Sequence, residues 1–411
     1  MTFIDFIQAS PTSYHAVQVI ADQLRQAGFE ELDEATPWEE VAGNRFVVRE
    51  GALIAWRTPS NVTESSGLRI VAAHSDSPAL KLKPSWSFAC GPYSLADAEV
   101  YGGPRLSTWL DRELKVAGRV IMRDLEVRLI ETEPMLRIST VAPHLTRHDS
   151  DPELDRQQDL AAIFALDGDA SIADAIWQQA GFDPYAVLAS DLFMVPAQAS
   201  EIFGANDEFL ASYRLDNLAS TYEGFQALLV AQESADVQVL AVFDHEEIGS
   251  GTLSGARGPF LEDVLRRLGA GLGFDQDGYL AWLRRGWCLS SDVAHAVHPT
   301  RPQFYEPHNF PVLGQGPVLK VNANGRYATD GLGAAVWERA CQQADVPHQV
   351  YLNNGKIPGG STVGPLSATR LGIRTFDVGI PILSMHSARE MCALADDEAM
   401  TSAMTAFLTA S

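Results

Sequence analysis

Val237-Gln238-Val239-Leu240-Ala241-Val242-Phe243-Asp244-His245-Glu246-Glu247-Ile248-Gly249-Ser250 joins a strongly apolar run to two adjacent glutamates. The run has the length and character of a buried β-strand, and Gly249 punctuates the loop after it. Carboxylates at the mouth of such a strand face desolvation and mutual repulsion, and something must offset both. A divalent metal does so, and it lets neighbouring acids divide the work. One ligates the cation while the other stays free to move a proton.

The flanking sequence repeats the pattern. Leu68 to Ala73 is a short apolar run, read as a buried strand, that leads straight into His74-Ser75-Asp76-Ser77-Pro78. Ser10-Pro11-Thr12-Ser13 starts a helix over Tyr14 to Ala27, stopped by Gly28, and Arg45 to Trp56 reads as a hairpin turning at Glu50-Gly51. After Tyr213 the spacing predicts helices over Asn217 to Ala231, Leu261 to Leu272 and Gly331 to Ala344, and a last one opened by Asp396-Asp397. Strands are expected at Cys288 to Ser291, His348 to Leu352 and Ile373 to Val378. Alternating helices and strands predict an α/β fold, a mostly parallel central sheet flanked by helices.

Between Cys90 and Asp207 the texture changes. Val116 to Met122, Leu125 to Glu131 and Met135 to Thr140 are short strand-like runs, followed by an acidic, helix-prone stretch from Asp149 to Gln179 and an apolar run from Asp191 to Pro196. The expected organisation is a discontinuous α/β domain, 1–90 and 208–411, interrupted by an inserted β-rich domain, 91–207.

The chain has 411 residues, enough for a large core, and a net charge of -23. That charge argues against nucleic acid and anionic membranes as partners, since both need a basic footprint. An acidic substrate would have to be drawn in by local basic groups. Cys90, Cys288, Cys341 and Cys392 are widely spaced, which predicts reduced thiols rather than a disulfide frame. The start of the chain lacks a signal-peptide pattern, and no run reaches the roughly 18 apolar residues of a membrane span. A cytoplasmic location is therefore expected.

Ligands in open α/β sheets gather beyond the carboxyl ends of strands. His74 and Asp76, Glu246 and Glu247, and Asp292 all follow predicted strands there; Asp216 precedes a helix and His386 lies in a loop. Taken singly, each has a plainer explanation: a surface His-x-Asp pair, an N-cap aspartate, a solvated Glu-Glu. Together they form the imidazole–carboxylate mixture that suits zinc, cobalt or manganese. His245-Glu246-Glu247-Ile248-Gly249 is not the helical His-Glu-x-x-His motif, and Gly269-Ala270-Gly271-Leu272-Gly273 has the wrong spacing and context for a dinucleotide loop.

The chain resembles the M18 metalloaminopeptidases, the aspartyl aminopeptidase family, and a bacterial member in particular. The markers are Ala72-Ala73-His74-Ser75-Asp76-Ser77-Pro78, Tyr101-Gly102-Gly103, Ser107-Thr108-Trp109-Leu110-Asp111-Arg112, Arg214-Leu215-Asp216-Asn217, Asp244-His245-Glu246-Glu247-Ile248-Gly249-Ser250, Ser291-Asp292-Val293-Ala294-His295-Ala296, Lys320-Val321-Asn322-Ala323-Asn324 and Met385-His386-Ser387. The resemblance implies a site for two divalent ions, zinc first and cobalt or manganese as alternatives. Asp216 would bridge them, with His74 and Asp292 on one and Glu247 and His386 on the other. Asp76 would orient His74, and Glu246 would shuttle the proton of a metal-activated water. Lys320 would face an acidic substrate side chain. His144, with His148 as a nearby alternative, would reach a neighbouring subunit's site from the inserted domain, which in this family mediates dimerisation within dodecamers.

The expected activity is removal of an N-terminal residue, aspartate or glutamate first, from peptides with a free N-terminus. The alternatives are an aminopeptidase of neutral or aliphatic preference, a deacylase or carboxypeptidase on the same scaffold, and a non-catalytic assembly protein.

Overall fold

The computed structural model describes residues 1–145, 154–357, 360 and 362–410, and its framework is a nine-stranded mixed sheet. Val237–Phe243, Leu68–His74, Trp287–Ser291 and Arg374–Gly379 lie side by side as its parallel centre. The hairpin of Asn44–Arg49 and Ala52–Arg57 packs antiparallel against Val237–Phe243. At the other edge Val318–Val321 runs antiparallel to Arg374–Gly379 and parallel to Gln349–Leu352.

Burial on both faces explains why the central strands read as unbroken apolar runs. Every residue of Val237–Phe243 is buried, including Gln238, whose amide donates to the carbonyls of Gln232 and Leu408. The period of two survives beneath the uniform burial. Leu240 and Val242 share a core with the helices Leu215–Val230, Gly331–Ala344 and Leu394–Thr409. Val239 and Ala241 pack instead with Phe260–Gly271 and Gln276–Arg285.

A second, seven-stranded sheet is antiparallel and closes on itself. Val187–Pro196 pairs with Ala79–Cys90 on one side and Glu113–Met122 on the other. Closure leaves few unpaired edges. Its separate core contains Trp109, Val116 and Met194. A third sheet joins Glu201–Phe203, Phe209–Ser212, Glu390–Ala393, Pro381–Leu383 and Ala294–His295.

The architecture is the expected α/β arrangement with a β-rich unit beside it, but details differ. Ala79–Cys90, which the sequence division leaves with the first segment, pairs into the closed sheet. Glu201–Phe203 and Phe209–Ser212, near its far limit, pair toward the C-terminal strands instead. Met135 to Thr140 yields only the short strand Leu136–Arg137. The Asp149 to Gln179 stretch lies partly outside the described residues. Its described part holds a strand, Ala162–Ala165, before the helix Ile172–Ala180. Pairing to Tyr93–Tyr101 overrides the helical propensity of the first of these.

Two buried acids in this frame stand apart from the strand ends. Among the described residues, Glu223, on Leu215–Val230, is buried with neither carboxylate oxygen hydrogen-bonded, and Asp397, on Leu394–Thr409, is buried with Oδ1 unpaired. Burial, and then the charge of Asp397, push the Glu223 carboxyl well above its ordinary 4.5. Burial, and then Glu398, push Asp397 up to about 7. The folded protein therefore keeps protons that the unfolded chain has already released, so stability falls as pH climbs through this window. Glu223→Gln is expected to flatten that decline. Its gain over wild type should be small at pH 5 and about 1–3 kcal/mol at pH 8. Parallel pH-dependence of the two proteins in thermal unfolding would refute the assignment.

Candidate metal centre

Strand register brings the candidate ligands together. Phe243 lies opposite His74 in the parallel pair, and Ser290 lies opposite Ala72 on the other side of the same strand. The chain therefore leaves three neighbouring strands at one level, carrying His74 and Asp76, Glu246 and Glu247, and Asp292. Asp216 enters from the start of Leu215–Val230, where it and Asn217 depart from helical geometry. His386 enters from the loop between Pro381–Leu383 and Glu390–Ala393.

These loops hold unusual backbone. Arg214, His245 and His386 have φ of 67°, 62° and 64°, a region that side chains rarely adopt and that clusters at functional sites. Gly102 (φ 71°) lets the Tyr101-Gly102-Gly103 backbone approach Glu247; a Cβ there would lie 3.1 Å from the Glu247 Cβ. At Gly379 a Cβ would lie 1.8 Å from the Asp292 carbonyl oxygen, so only glycine permits that strand to flank Asp292.

Asp216 divides its carboxylate between two histidines. Oδ1 lies 3.5 Å from His74 Nε2, and Oδ2 lies 3.3 Å from His386 Nε2. His74 Nε2 also lies 3.8 Å from Asp292 Oδ1, and His386 Nε2 lies 3.5 Å from Glu247 Oε2. Ligating atoms fall within 4.8 Å of one another in three sets: His74, Asp216 and Asp292; Asp216, Glu247 and His386; and His74, Glu246 and Glu247.

Both imidazoles turn Nδ1 toward an acceptor. His74 Nδ1 is 3.1 Å from the Asp76 carbonyl and 3.3 Å from its Oδ1, while His386 Nδ1 is 3.0 Å from the Gly103 carbonyl. A proton held there leaves each Nε2 lone pair facing the carboxylates, the arrangement that supports metal ligation. Among the described residues, His74 Nε2 and Asp216 Oδ1 are buried without a hydrogen-bond partner. Leaving two such atoms unsatisfied is costly, and a shared divalent cation would satisfy both. The donor set fits zinc, cobalt or manganese.

The charges make the same point. Burial, and then the adjacent Asp216, push the Glu247 carboxyl well above the usual range. Glu246 is pushed up to about 7, chiefly by burial, with His74 opposing and Asp292 adding to the rise. Burial would also raise Asp292, but Lys320 and then His74 hold it below the ordinary range. Lys320 is itself buried, with Nζ 3.5 Å from Asp292 Oδ2 and 5.6 Å from the Tyr327 ring centroid.

Asp76 does more than contact His74. Its Oδ1 and Oδ2 accept from the backbone N–H groups of Glu246 and Glu247 at 3.0 and 3.1 Å, and Tyr101 Oη donates to Oδ2 at 2.7 Å. Glu390 plays the same part on the opposite side, accepting from the backbone N–H of Asp216 at 2.9 Å and of His386 at 2.6 Å. Sequence reasoning passed over Tyr101 and Glu390 as functional positions. The Tyr-Gly-Gly marker was a signal for the first; the second had only its place four residues after His386. His144 is exposed in the turn following Val141 and belongs to none of the three ligating sets; His148 lies outside the described residues.

A model of the family described as aminopeptidase I zinc metalloprotease (M18) matches residues 6–408. A probable M18 family aminopeptidase 2 from Streptomyces avermitilis is 43% identical over 417 residues, covering 98% of this chain and 96% of the relative. Among solved structures, a chain of the Ape4 and Nbr1 complex superimposes with a TM-score of 0.95 at 34% identity, covering 99% of this chain and 84% of that one. The mApe1 dodecamer of S. cerevisiae gives a TM-score of 0.86 at 28% identity, covering 98% and 95%. With histidines and carboxylates that could hold a metal gathered beyond the strand ends and a family match along nearly its whole length, the chain belongs to the M18 metalloaminopeptidases.

Proposed function

We propose that this metalloaminopeptidase works with two divalent ions, zinc first, and removes N-terminal aspartate or glutamate from peptides. The observation that carries the reading is the division of Asp216, one oxygen toward each histidine. His74 and Asp292 would complete one position, Glu247 and His386 the other. When bound, such ions supply Lewis acidity and lower the pKa of a water between them. Glu246 takes a proton during attack on the first peptide carbonyl and returns it to the leaving amine. A carboxyl raised toward neutrality by burial suits both transfers. Asp76 fixes the ring of His74 and, through two backbone N–H groups, the loop that carries Glu246.

Lys320 is the proposed selector for an acidic first residue. Its pairing with Asp292 ties that role to the metal position, so the two must be measured together. His144 is proposed to act in a neighbouring subunit, because in its own chain it stands exposed and apart from the ligating sets. The closed sheet, running from Ala79 to Pro196, is the proposed inserted dimerisation unit. The chain's likeness to a dodecameric yeast relative supports assembly into dodecamers. We further propose a cytoplasmic location; no helix among the described residues is long and apolar enough to cross a membrane.

Glu246→Gln is expected to keep fold and metal content and to lose about 10²–10⁴ in kcat, the share general acid–base catalysis supplies. Near-wild-type turnover would remove Glu246 from the mechanism. Asp216→Asn should deplete both ions, whereas Glu247→Gln should deplete one; elemental analysis of metal per chain reads the difference, and equal losses would contradict a bridging Asp216. Asp-, Glu- and Leu-peptides, each with a free and an acetylated amine, test specificity in chelated and metal-restored protein. Only free-amine peptides should be cleaved, Asp or Glu before Leu, and Lys320→Met should narrow that preference at matched metal content. Cleavage of acetylated forms would favour a deacylase instead.

A further inference from the structure

Beyond His386 the site opens into a cavity of about 460 Å³, lined in part by Gly103, Arg105, His298 and Tyr305. A second, of about 620 Å³, shares Arg105, His298 and Tyr305 with it and adds Arg112, Arg301 and Arg389. The two therefore form one groove leading away from the candidate metal centre. Among the described residues, no aspartate or glutamate lines either part. That is a sharp segregation in a chain with 53 acidic and 30 basic side chains.

Among the described residues, Arg389 alone of these guanidinium groups has a carboxylate oxygen within 4.0 Å. Nε and Nη1 of Arg112 are buried without a hydrogen-bond partner among the described residues. Arg105 and Arg301 are exposed, and Arg301 Nη1 donates to the Thr300 carbonyl at 3.3 Å rather than to an acid. Arg389 Nη1 donates to the Ala199 carbonyl at 2.9 Å, and its carboxylate partner, Glu201, is 3.5 Å away and mostly exposed. Like charges gathered without counter-charge are held at an electrostatic cost, which an anionic ligand would relieve. The guanidinium fork matches a carboxylate in shape as well as charge.

An aminopeptidase keeps the first residue of its substrate at the metal centre, and the remainder of the peptide must lie along an opening from it. We infer that the arginine groove receives the part of the peptide beyond the scissile bond and favours carboxylates there. The inference rests on the aminopeptidase reading above. It also answers how a chain of net charge -23 admits an acidic peptide: the attraction is local, set beside the site, while the surface at large repels. The carboxylates can come from acidic side chains or from the free C-terminus of a short peptide.

Four free-amine peptides with one common N-terminal residue distinguish these cases: a neutral C-terminal amide, its free acid, an amide with two glutamates after the scissile bond, and the corresponding lysine amide. The glutamate peptide is expected to exceed the neutral amide in kcat/KM by about tenfold or more, mainly through KM. The lysine peptide should fall below the neutral amide. A gain for the free acid would identify the C-terminal carboxylate as a source, and its absence would leave acidic side chains as the source. The preference should shrink with added salt as screening lengths fall, and Arg105→Gln and Arg301→Gln should each reduce the glutamate-to-neutral ratio. Hydrolysis with equal kcat/KM for the neutral, glutamate and free-acid peptides overturns this inference alone. No metal-dependent hydrolysis of any of the four overturns the aminopeptidase reading and this inference with it.

Discussion

The parallel pairing that sets Phe243 opposite His74 is the constraint on which the site depends. It makes adjacent strands end at one level, so residues far apart in sequence enter the same small volume. Because strand side chains alternate, a slip of one residue would turn His74 to the other face of the sheet. The tightly buried cores on both faces prevent that slip. The loops beyond the strands then turn at once, through left-handed residues at His245 and His386 and through the close approach that Gly379 permits. Rigid strands and short loops thus place the candidate ligand atoms without help from long flexible segments.

Carboxylates serve different purposes here according to what faces them. Asp216, Glu247 and Asp292 face imidazoles and one another, the mixture that calls for cations. Asp76 and Glu390, a few ångströms away, spend their oxygens on backbone N–H groups and hold the loops that carry those residues. Glu223 and Asp397 sit between helices with oxygens unpaired, and for them the inexpensive state is the protonated one. One functional group becomes candidate ligand, clamp or neutral filler through burial and partner alone.

Charge is likewise arranged in space rather than in sequence. The chain as a whole is strongly acidic, yet the groove beside His386 is lined by arginines that come from three separated stretches, around Arg105 and Arg112, Arg301, and Arg389. None of these arginines lies in a basic run of sequence. The third sheet and the hairpin loop that carries His386 bring two of the stretches together, which is why the same loop borders both the candidate metal centre and the groove.

Much of the fold is legible in the sequence. The apolar run ending at Phe243 and the shorter one ending at Ala73 announced strands, because strands buried on both faces have no polar side to interrupt them. The acids and histidines after them announced a metal site, because such groups are costly there without a cation. The limits of the closed sheet were less legible. Ala79–Cys90 follows the His74 to Pro78 motif without a break in composition, and only its pairing partners reveal which sheet owns it. Glu390 was illegible as a site residue, and Tyr101 was marked only by its Tyr-Gly-Gly motif, for a related reason: each acts through hydrogen bonds to groups remote in the chain. Local chemistry thus determined which residues were candidates and which strands carried them. The tertiary structure alone decided the distances from Asp216 to its two histidines, the backbone clamps of Asp76 and Glu390 and the gathering of arginines, since these join groups remote from one another in sequence.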